Sequence, residues 1–316
     1  MTQVQLITGF LGAGKTSLLD RLLPEYIKRG KTAVIENDFG DVGIDSKIIS
    51  NENVKITELS SGCICCSLFG ELLSSLEFII NEVGPDNILI EPSGLSRTSD
   101  VLKAAKVLAE KGILELNPSI AIVDVENFTD YIEDFGNFYI DQIERAGLVL
   151  LSHCGGHSGN EIKSVWEEID AINPRAVKID ANWFDMQDYA LAALIFTAIE
   201  ESKALLPDNS ANSEQEHCDV HHQAFEAGNY FSSWNAPLTK PMSKAQLSEK
   251  LEKLQDGRYG RILRAKGFCP SNDNGIWHFE YLPKHLTVEV FNKQSETSIA
   301  VIGEKLNGNE LASLWQ

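Results

Sequence analysis

Hydrophobic and polar positions follow two alternating periods along the first two hundred residues. Val4-Gln5-Leu6-Ile7-Thr8 is a short apolar run that reads as a buried strand, and residues 15–28 follow with Leu18, Leu19, Leu22 and Leu23 on one helical face. The exchange repeats: a strand over 32–36, a helix over 68–83, and a near-continuous apolar strand, Asn87-Ile88-Leu89-Ile90-Glu91. Helical spacing returns over 99–110 and 160–172, with strands over 119–123 and 148–151. Strands that are apolar throughout, alternating with helices, indicate a parallel sheet covered on both faces. The expected fold class is therefore α/β, a doubly wound, mostly parallel sheet, over residues 1–205.

Periodicity stops at Leu206-Pro207-Asp208-Asn209-Ser210-Ala211-Asn212-Ser213-Glu214, which is small, polar and reads as a linker. Beyond it come a strand near 230–233, a helix over 243–254, strands over 261–266, 276–281 and 297–302, and a closing helix over 308–314. This order suits a smaller C-terminal α+β domain. The expected division is 1–205 for the first domain, 206–222 for the linker and 223–316 for the second.

Composition adds limits. The 316 residues carry a net charge of −19. Such a balance argues against nucleic acid or an anionic membrane as partner, because both reward clustered Lys and Arg. No apolar run is long enough to span a bilayer, and no charged n-region precedes an apolar h-region at the N-terminus. Residence in the cytoplasm is the expectation, and the six cysteines are then thiols rather than disulfides.

The strand-to-helix junction at the N-terminus carries the clearest chemistry. A loop that cradles phosphate needs glycines where backbone must bend and approach an anion, a lysine for the terminal phosphates, and a hydroxyl for Mg²⁺. Gly9-Phe10-Leu11-Gly12-Ala13-Gly14-Lys15-Thr16 supplies all three between a buried strand and an amphipathic helix. Backbone N–H groups from Gly12 through Ala13, Gly14, Lys15 and Thr16 to Ser17 are expected to face the phosphates, aided by the helix dipole. The fold expectation sharpens to a P-loop NTPase. Such a site also needs an acid near the metal at a neighbouring strand end. Glu91 fills that place, and Pro92-Ser93-Gly94 after it supplies a glycine able to sense the γ-phosphate. Lys15, Thr16 and Glu91 are the candidate catalytic residues, with Thr16 also a Mg²⁺ ligand.

A second chemistry lies in Ser61-Gly62-Cys63-Ile64-Cys65-Cys66. Three thiols within four residues can converge on one soft or borderline ion, with Zn²⁺, Co²⁺ and Ni²⁺ all suited; buried packing is the weaker reading for three cysteines so close together, flanked by Gly62 and Ser67. Glu216-His217-Cys218-Asp219-Val220-His221-His222 puts His217 and His221 on one helical face, which suits either metal capture or a solvated linker end. His157, His278 and His285 read as structural.

Together these stretches resemble the CobW family of P-loop GTPases, relatives of UreG and HypB. The phosphate loop matches the family's form, Asn37-Asp38-Phe39-Gly40-Asp41-Val42-Gly43-Ile44-Asp45 is similar to its first switch segment, and Gly62-Cys63-Ile64-Cys65-Cys66 matches its Gly-Cys-x-Cys-Cys hallmark. Glu91-Pro92-Ser93-Gly94 is similar to its metal-side strand end, and residues 260–268 resemble its C-terminal signature. The resemblance implies a GTPase that binds zinc, cobalt or nickel and delivers it to, or activates, a client metalloprotein, with a nucleotide-dependent homodimer expected. It implies metal ligands among Cys63, Cys65 and Cys66, joined by Asp38 and Asp41, which stand where the family more often has glutamates.

One part departs from the pattern. Guanine is selected in this class by Asn-Lys-x-Asp after a buried strand, but strand 148–151 is followed by Ser152-His153-Cys154-Gly155. Ser152 and His153 are left as the candidate base-side contacts, and Asp180 as a substitute acceptor. Losing the charged acceptor costs on the order of 2–3 kcal/mol of preference for guanine, which leaves GTP, relaxed choice or ATP open. No general base stands out, so slow turnover suited to a switch is expected. Two other functions fit the same residues: a metal sensor or store with nucleotide as a structural ligand and negligible hydrolysis, and an ATP-dependent activator in corrinoid metabolism.

Overall fold

In a computed structural model, residues 1–36, 54–58, 68–205, 231–273, 275–283, 285–291, 295 and 297–315 are described. They fall into two compact units, one ending with the helix that closes at Leu205 and the other beginning at Phe231.

The first unit follows the alternation read from sequence: β1 (Thr2–Gly9), α1 (Lys15–Arg29), β2 (Thr32–Glu36), β3 (Val54–Glu58), α2 (Leu68–Glu82), β4 (Asn87–Glu91), α3 (Thr98–Glu110), β5 (Leu114–Leu116), β6 (Ile120–Asp124), α4 (Phe128–Phe135), α5 (Asn137–Glu144), β7 (Leu148–Ser152), α6 (Gly159–Ile172), β8 (Val177–Ile179) and α7 (Asp188–Leu205). The strands form one sheet in the order β3-β2-β4-β1-β6-β7-β8, and β5 pairs with the start of β1. Every pairing is parallel. The strands are buried nearly throughout, as a sheet sandwiched between helices requires.

Two apolar cores lie on opposite faces. On one, Leu18, Leu19, Leu22 and Leu23 of α1 pack with Leu191, Ile195 and Ile199 of α7 against Ile7, Leu89 and Ile122. On the other, Leu72, Leu76 and Ile79 of α2 and Val101, Ala104 and Leu108 of α3 cover Val4, Leu6, Ile88 and Ile90. From β1 the chain runs out to β2 and β3, returns through β4, then crosses to β6, β7 and β8. The reversal at β1 is a topological switch point, where open α/β sheets bind ligands beyond their carboxyl strand ends.

Several elements go beyond the periodic reading: β3, β5, β8, α4, α5 and α7. The second unit also has more strands than expected. It comprises β9 (Phe231–Pro237), α8 (Lys244–Glu252), β10 (Arg261–Pro270), β11 (Ile276–Leu282), β12 (His285–Phe291), β13 (Ser298–Glu304) and α9 (Gly308–Trp315). Its antiparallel sheet runs β12-β11-β10-β13-β9. Leu247 and Leu251 of α8 and Leu311 and Trp315 of α9 close a core over Ala265, Phe279, Ile299 and Val301. A capping box at Ser243 and Gln246 starts α8.

Candidate functional site

The chain between β1 and α1 turns within five residues. Gly12 (φ 76°) and Gly14 (φ 101°) sit in the left-handed region, which gives the loop the tight turns that a phosphate cradle requires. Ala13 is buried between them, Gly9 closes β1, and Ser17 is exposed in the first turn of α1. The Lys15 ammonium is almost fully buried and donates to the Phe10 carbonyl at 3.1 Å, folding the side chain back over the loop.

Beside the loop, Thr16 Oγ1 donates to Glu91 Oε1 at 2.7 Å. Glu91 ends β4, next to β1 in the sheet, as a metal-side acid must. The parallel register extends the row: Glu91 pairs with Glu36 at the end of β2, and Glu36 with Glu58 at the end of β3. Glu36, 8% exposed, escaped the sequence reading, because a strand-end acid has no local mark and only the register shows its neighbours. Asp124, at the end of β6, is a contrasting strand-end acid. Its oxygens accept from the Glu126 and Asn127 backbone and the Asn127 amide, so it builds the turn into α4.

The loop is pinned on every side. Phe10 is fully buried, its ring 4.5 Å from Tyr131, 4.7 Å from Phe135 and 5.5 Å from Tyr139. Gly94 lies so close beneath that a Cβ there would stand 2.6 Å from the Leu11 nitrogen. Gln142 of α5 in turn donates to the carbonyls of Gly94 at 3.0 Å and Ser96 at 3.2 Å.

On the far side lie the turns after β7 and β8. His153, with φ of 54°, reaches the Gly12 carbonyl through Nε2 at 3.1 Å. Ser152 ends β7 and is buried, 3.5 Å from the Val123 carbonyl through its hydroxyl. Asp180 accepts from Trp166 Nε1 at 3.4 Å. Burial pushes the Cys154 thiol up, and the Asp180 and Asp124 carboxylates add to the shift, which disfavours the thiolate a metal would need.

The structure thus brings together Gly9, Gly12, Ala13, Gly14, Lys15, Thr16, Glu91 and His153. Asp38, Asp41, Cys63, Cys65 and Cys66 lie outside the described residues, as does the cluster from Glu216 to His222. No described helix is long and apolar enough to cross a membrane.

The chain is similar in sequence to known proteins. The family description "CobW/HypB/UreG, nucleotide-binding domain" matches residues 3–180. The zinc chaperone YeiR of Escherichia coli K12 is 27% identical over 201 residues, and the match spans 61% of this chain and 61% of YeiR, about three fifths of its length. The zinc chaperone YjiA of the same organism is 29% identical over 273 residues, spanning 84% of this chain and 80% of YjiA. Among solved structures, Zn(II)-bound YjiA GTPase from E. coli covers 99% of this chain and 97% of its own, at 21% identity and a TM-score of 0.46.

Proposed function

Because the chain belongs to the CobW/HypB/UreG family of nucleotide-binding proteins, we propose that it is a P-loop nucleoside triphosphatase whose nucleotide state governs the capture and release of a transition metal for a client metalloprotein. Zinc is the first candidate, since the matched relatives are named zinc chaperones; cobalt and nickel suit the same thiol chemistry. Residues 1–205 hold the nucleotide, and residues 223–316 form the C-terminal domain.

The observation that carries this reading is the row of strand ends beside the phosphate loop. Thr16 is bonded to Glu91, and Glu91 is in register with Glu36 and Glu58 on the next two strands. The chain leaves β2 toward Asp38 and Asp41, and leaves β3 toward Cys63, Cys65 and Cys66. The two candidate metal-ligand segments therefore start from the next two strand ends in the row, β2 beside β4 and β3 beside β2. A change at the γ-phosphate has a short path to them, which is the coupling a metal-releasing switch needs.

In this proposal Gly9, Gly12, Ala13, Gly14 and Ser17 shape the phosphate cradle and Lys15 neutralises the terminal phosphates. Thr16 and Glu91 offer two oxygen donors of the hard kind that Mg²⁺ prefers, so the residues present fit that ion. Bound there, Mg²⁺ would supply charge neutralisation at the β- and γ-phosphates. Cys63, Cys65, Cys66, Asp38 and Asp41 are the proposed ligands of the cargo metal, with buried Glu36 added from the register.

The test is a zinc titration of metal-free protein with GDP or a non-hydrolysable GTP analogue, paired with phosphate release with and without zinc. The proposal expects zinc affinity to differ between the nucleotides and Cys65→Ala to abolish both the difference and the effect of zinc on turnover. Unchanged zinc affinity and turnover in that variant would overturn it.

A further inference from the structure

The residues on the base side of the phosphate loop assemble a flat aromatic ledge. After β8 the chain makes a tight turn over Trp183–Asp185. Trp183 is fully buried, and its indole donates to the Leu151 carbonyl of β7 at 2.8 Å. Phe184 stacks on it at 3.9 Å between ring centroids and 26° between planes, yet remains 46% exposed. The ledge adjoins the loop itself: a Cβ on Gly14 would lie 3.5 Å from the tip of the Phe184 ring and 3.6 Å from Trp183. His153, bonded to the Gly12 carbonyl, holds its ring 6.4 Å from that of Phe184.

The ledge is also held in place. Arg21, on the second turn of α1, donates to the carbonyls of Trp183 at 2.5 Å, Phe184 at 3.4 Å and Met186, and pairs with Asp188 at 2.7 Å. A phenylalanine left half in water, clamped beside a phosphate-binding turn, has the form of a base-stacking surface. Among the described residues directly after β7, no carboxylate stands ready to read a guanine edge. In Ser152-His153-Cys154-Gly155 a glycine occupies the place where the guanine-selecting carboxylate would stand. The neighbouring acid, Asp180, follows β8 rather than β7 and accepts from the Trp166 indole through Oδ1 at 3.4 Å.

We infer that Phe184, backed by Trp183 and flanked by His153, forms the base subsite and takes a purine by stacking alone, so that ATP and GTP bind alike. Stacking is indifferent to which base is presented, because every base has a π-face. This rests on the nucleotide-binding reading above and adds to it the class of nucleotide the site accepts.

The experiment is calorimetric titration of the whole metal-free chain with Mg-GTP, Mg-ATP and Mg-tripolyphosphate, comparing wild type, Phe184→Ala, Phe184→Tyr and Lys15→Ala. Wild type should bind GTP and ATP within about threefold of each other. Phe184→Ala should weaken both by about tenfold and leave tripolyphosphate unchanged, while Phe184→Tyr restores both. A preference for GTP of about 100-fold, or a Phe184→Ala variant that binds nucleotides as well as or better than wild type, would overturn the inference while leaving the phosphate site standing. Wild-type binding of nucleotide and tripolyphosphate that is equally weak in Lys15→Ala would instead overturn the nucleotide-binding reading, and the inference with it.

Discussion

The Thr16 hydroxyl donates to Glu91 Oε1 at 2.7 Å across 75 positions of sequence, joining the first turn of α1 to the end of β4. In the proposed function both atoms hold a phosphate-bound cation, so the pair should matter more to turnover than to binding. Glu91→Gln keeps the shape and removes the charge. It should lower phosphate release by about 100-fold, the scale of losing one preorganised electrostatic contact, with nucleotide affinity kept within a few-fold. Single-turnover hydrolysis alongside calorimetry separates the two effects, and an affinity loss as large as the rate loss would refute the assignment.

Gly94 serves the loop by having no side chain. A methyl group there would meet the Leu11 nitrogen at 2.6 Å and the Phe10 carbonyl carbon at 2.9 Å, both backbone atoms that cannot swing aside. Gly94→Ala should destabilise the first unit by about 1–3 kcal/mol and displace the loop, lowering affinity for tripolyphosphate as well as nucleotide. Thermal unfolding with tripolyphosphate titration checks this; unchanged affinity would show that the loop tolerates the push.

Trp183 and Arg21 make separable contributions to one turn. Trp183→Ala empties a fully buried site and should cost about 3–5 kcal/mol. Arg21→Ala removes the clamp on the carbonyls of Trp183, Phe184 and Met186 while leaving the indole buried, so its cost should be smaller, about 1–3 kcal/mol. Urea unfolding of the two variants ranks them, and an Arg21→Ala variant as stable as wild type would contradict the clamp.

The C-terminal sheet carries an acid-sensitive pair. Arg264 Nη2 lies 2.7 Å from Glu280 Oε1, and the guanidinium, assisted by Lys266, holds the Glu280 carboxyl below its usual range against the opposing effect of burial. Burial also lowers His278, two residues away on the same strand. A depressed pKa means the folded state holds fewer protons than the unfolded state. Both groups therefore contribute stability that is complete above their unfolded values and is lost as pH falls. His278 acts as pH drops below its ordinary 6.5, and Glu280 as it drops below 4.5. Glu280→Gln should lower neutral-pH stability by about 2 kcal/mol and flatten the loss below pH 4.5. Melting temperature against pH for both proteins tests this, and parallel curves would exclude the pair as the cause.

The sequence was most legible where backbone chemistry leaves few choices. Gly9, Gly12, Gly14, Lys15 and Thr16 follow from what a phosphate cradle requires, and Glu91 from its place at the end of an apolar strand. The supports of the loop were not legible, because they are contacts between distant segments. The partners of Phe10 come from α4 and α5, two helices of eight residues each separated by Gly136; the spacing of Phe128, Tyr131, Ile132 and Phe135 marks a helix face, but nothing local says that it meets Phe10. β8, of three residues, is below the length at which alternation means anything. α7 is apolar around most of its circumference and presents no clear stripe. His153 was named from its position after β7, but its bond to Gly12 belongs to the geometry of two turns brought together by the sheet.

Phe10 among three aromatic rings, Leu11 over Gly94, Gly12 held by His153 and Gly14 against Trp183 leave the phosphate loop little freedom before any ligand arrives. A seat that is already shaped loses little conformational entropy on occupation. The difference between a diphosphate and a triphosphate then cannot be absorbed as settling of the seat. Under the proposed function it passes outward along the row of strand ends from Glu91 to Glu36 and Glu58, so the fit of the seat decides how faithfully the metal side reads the nucleotide.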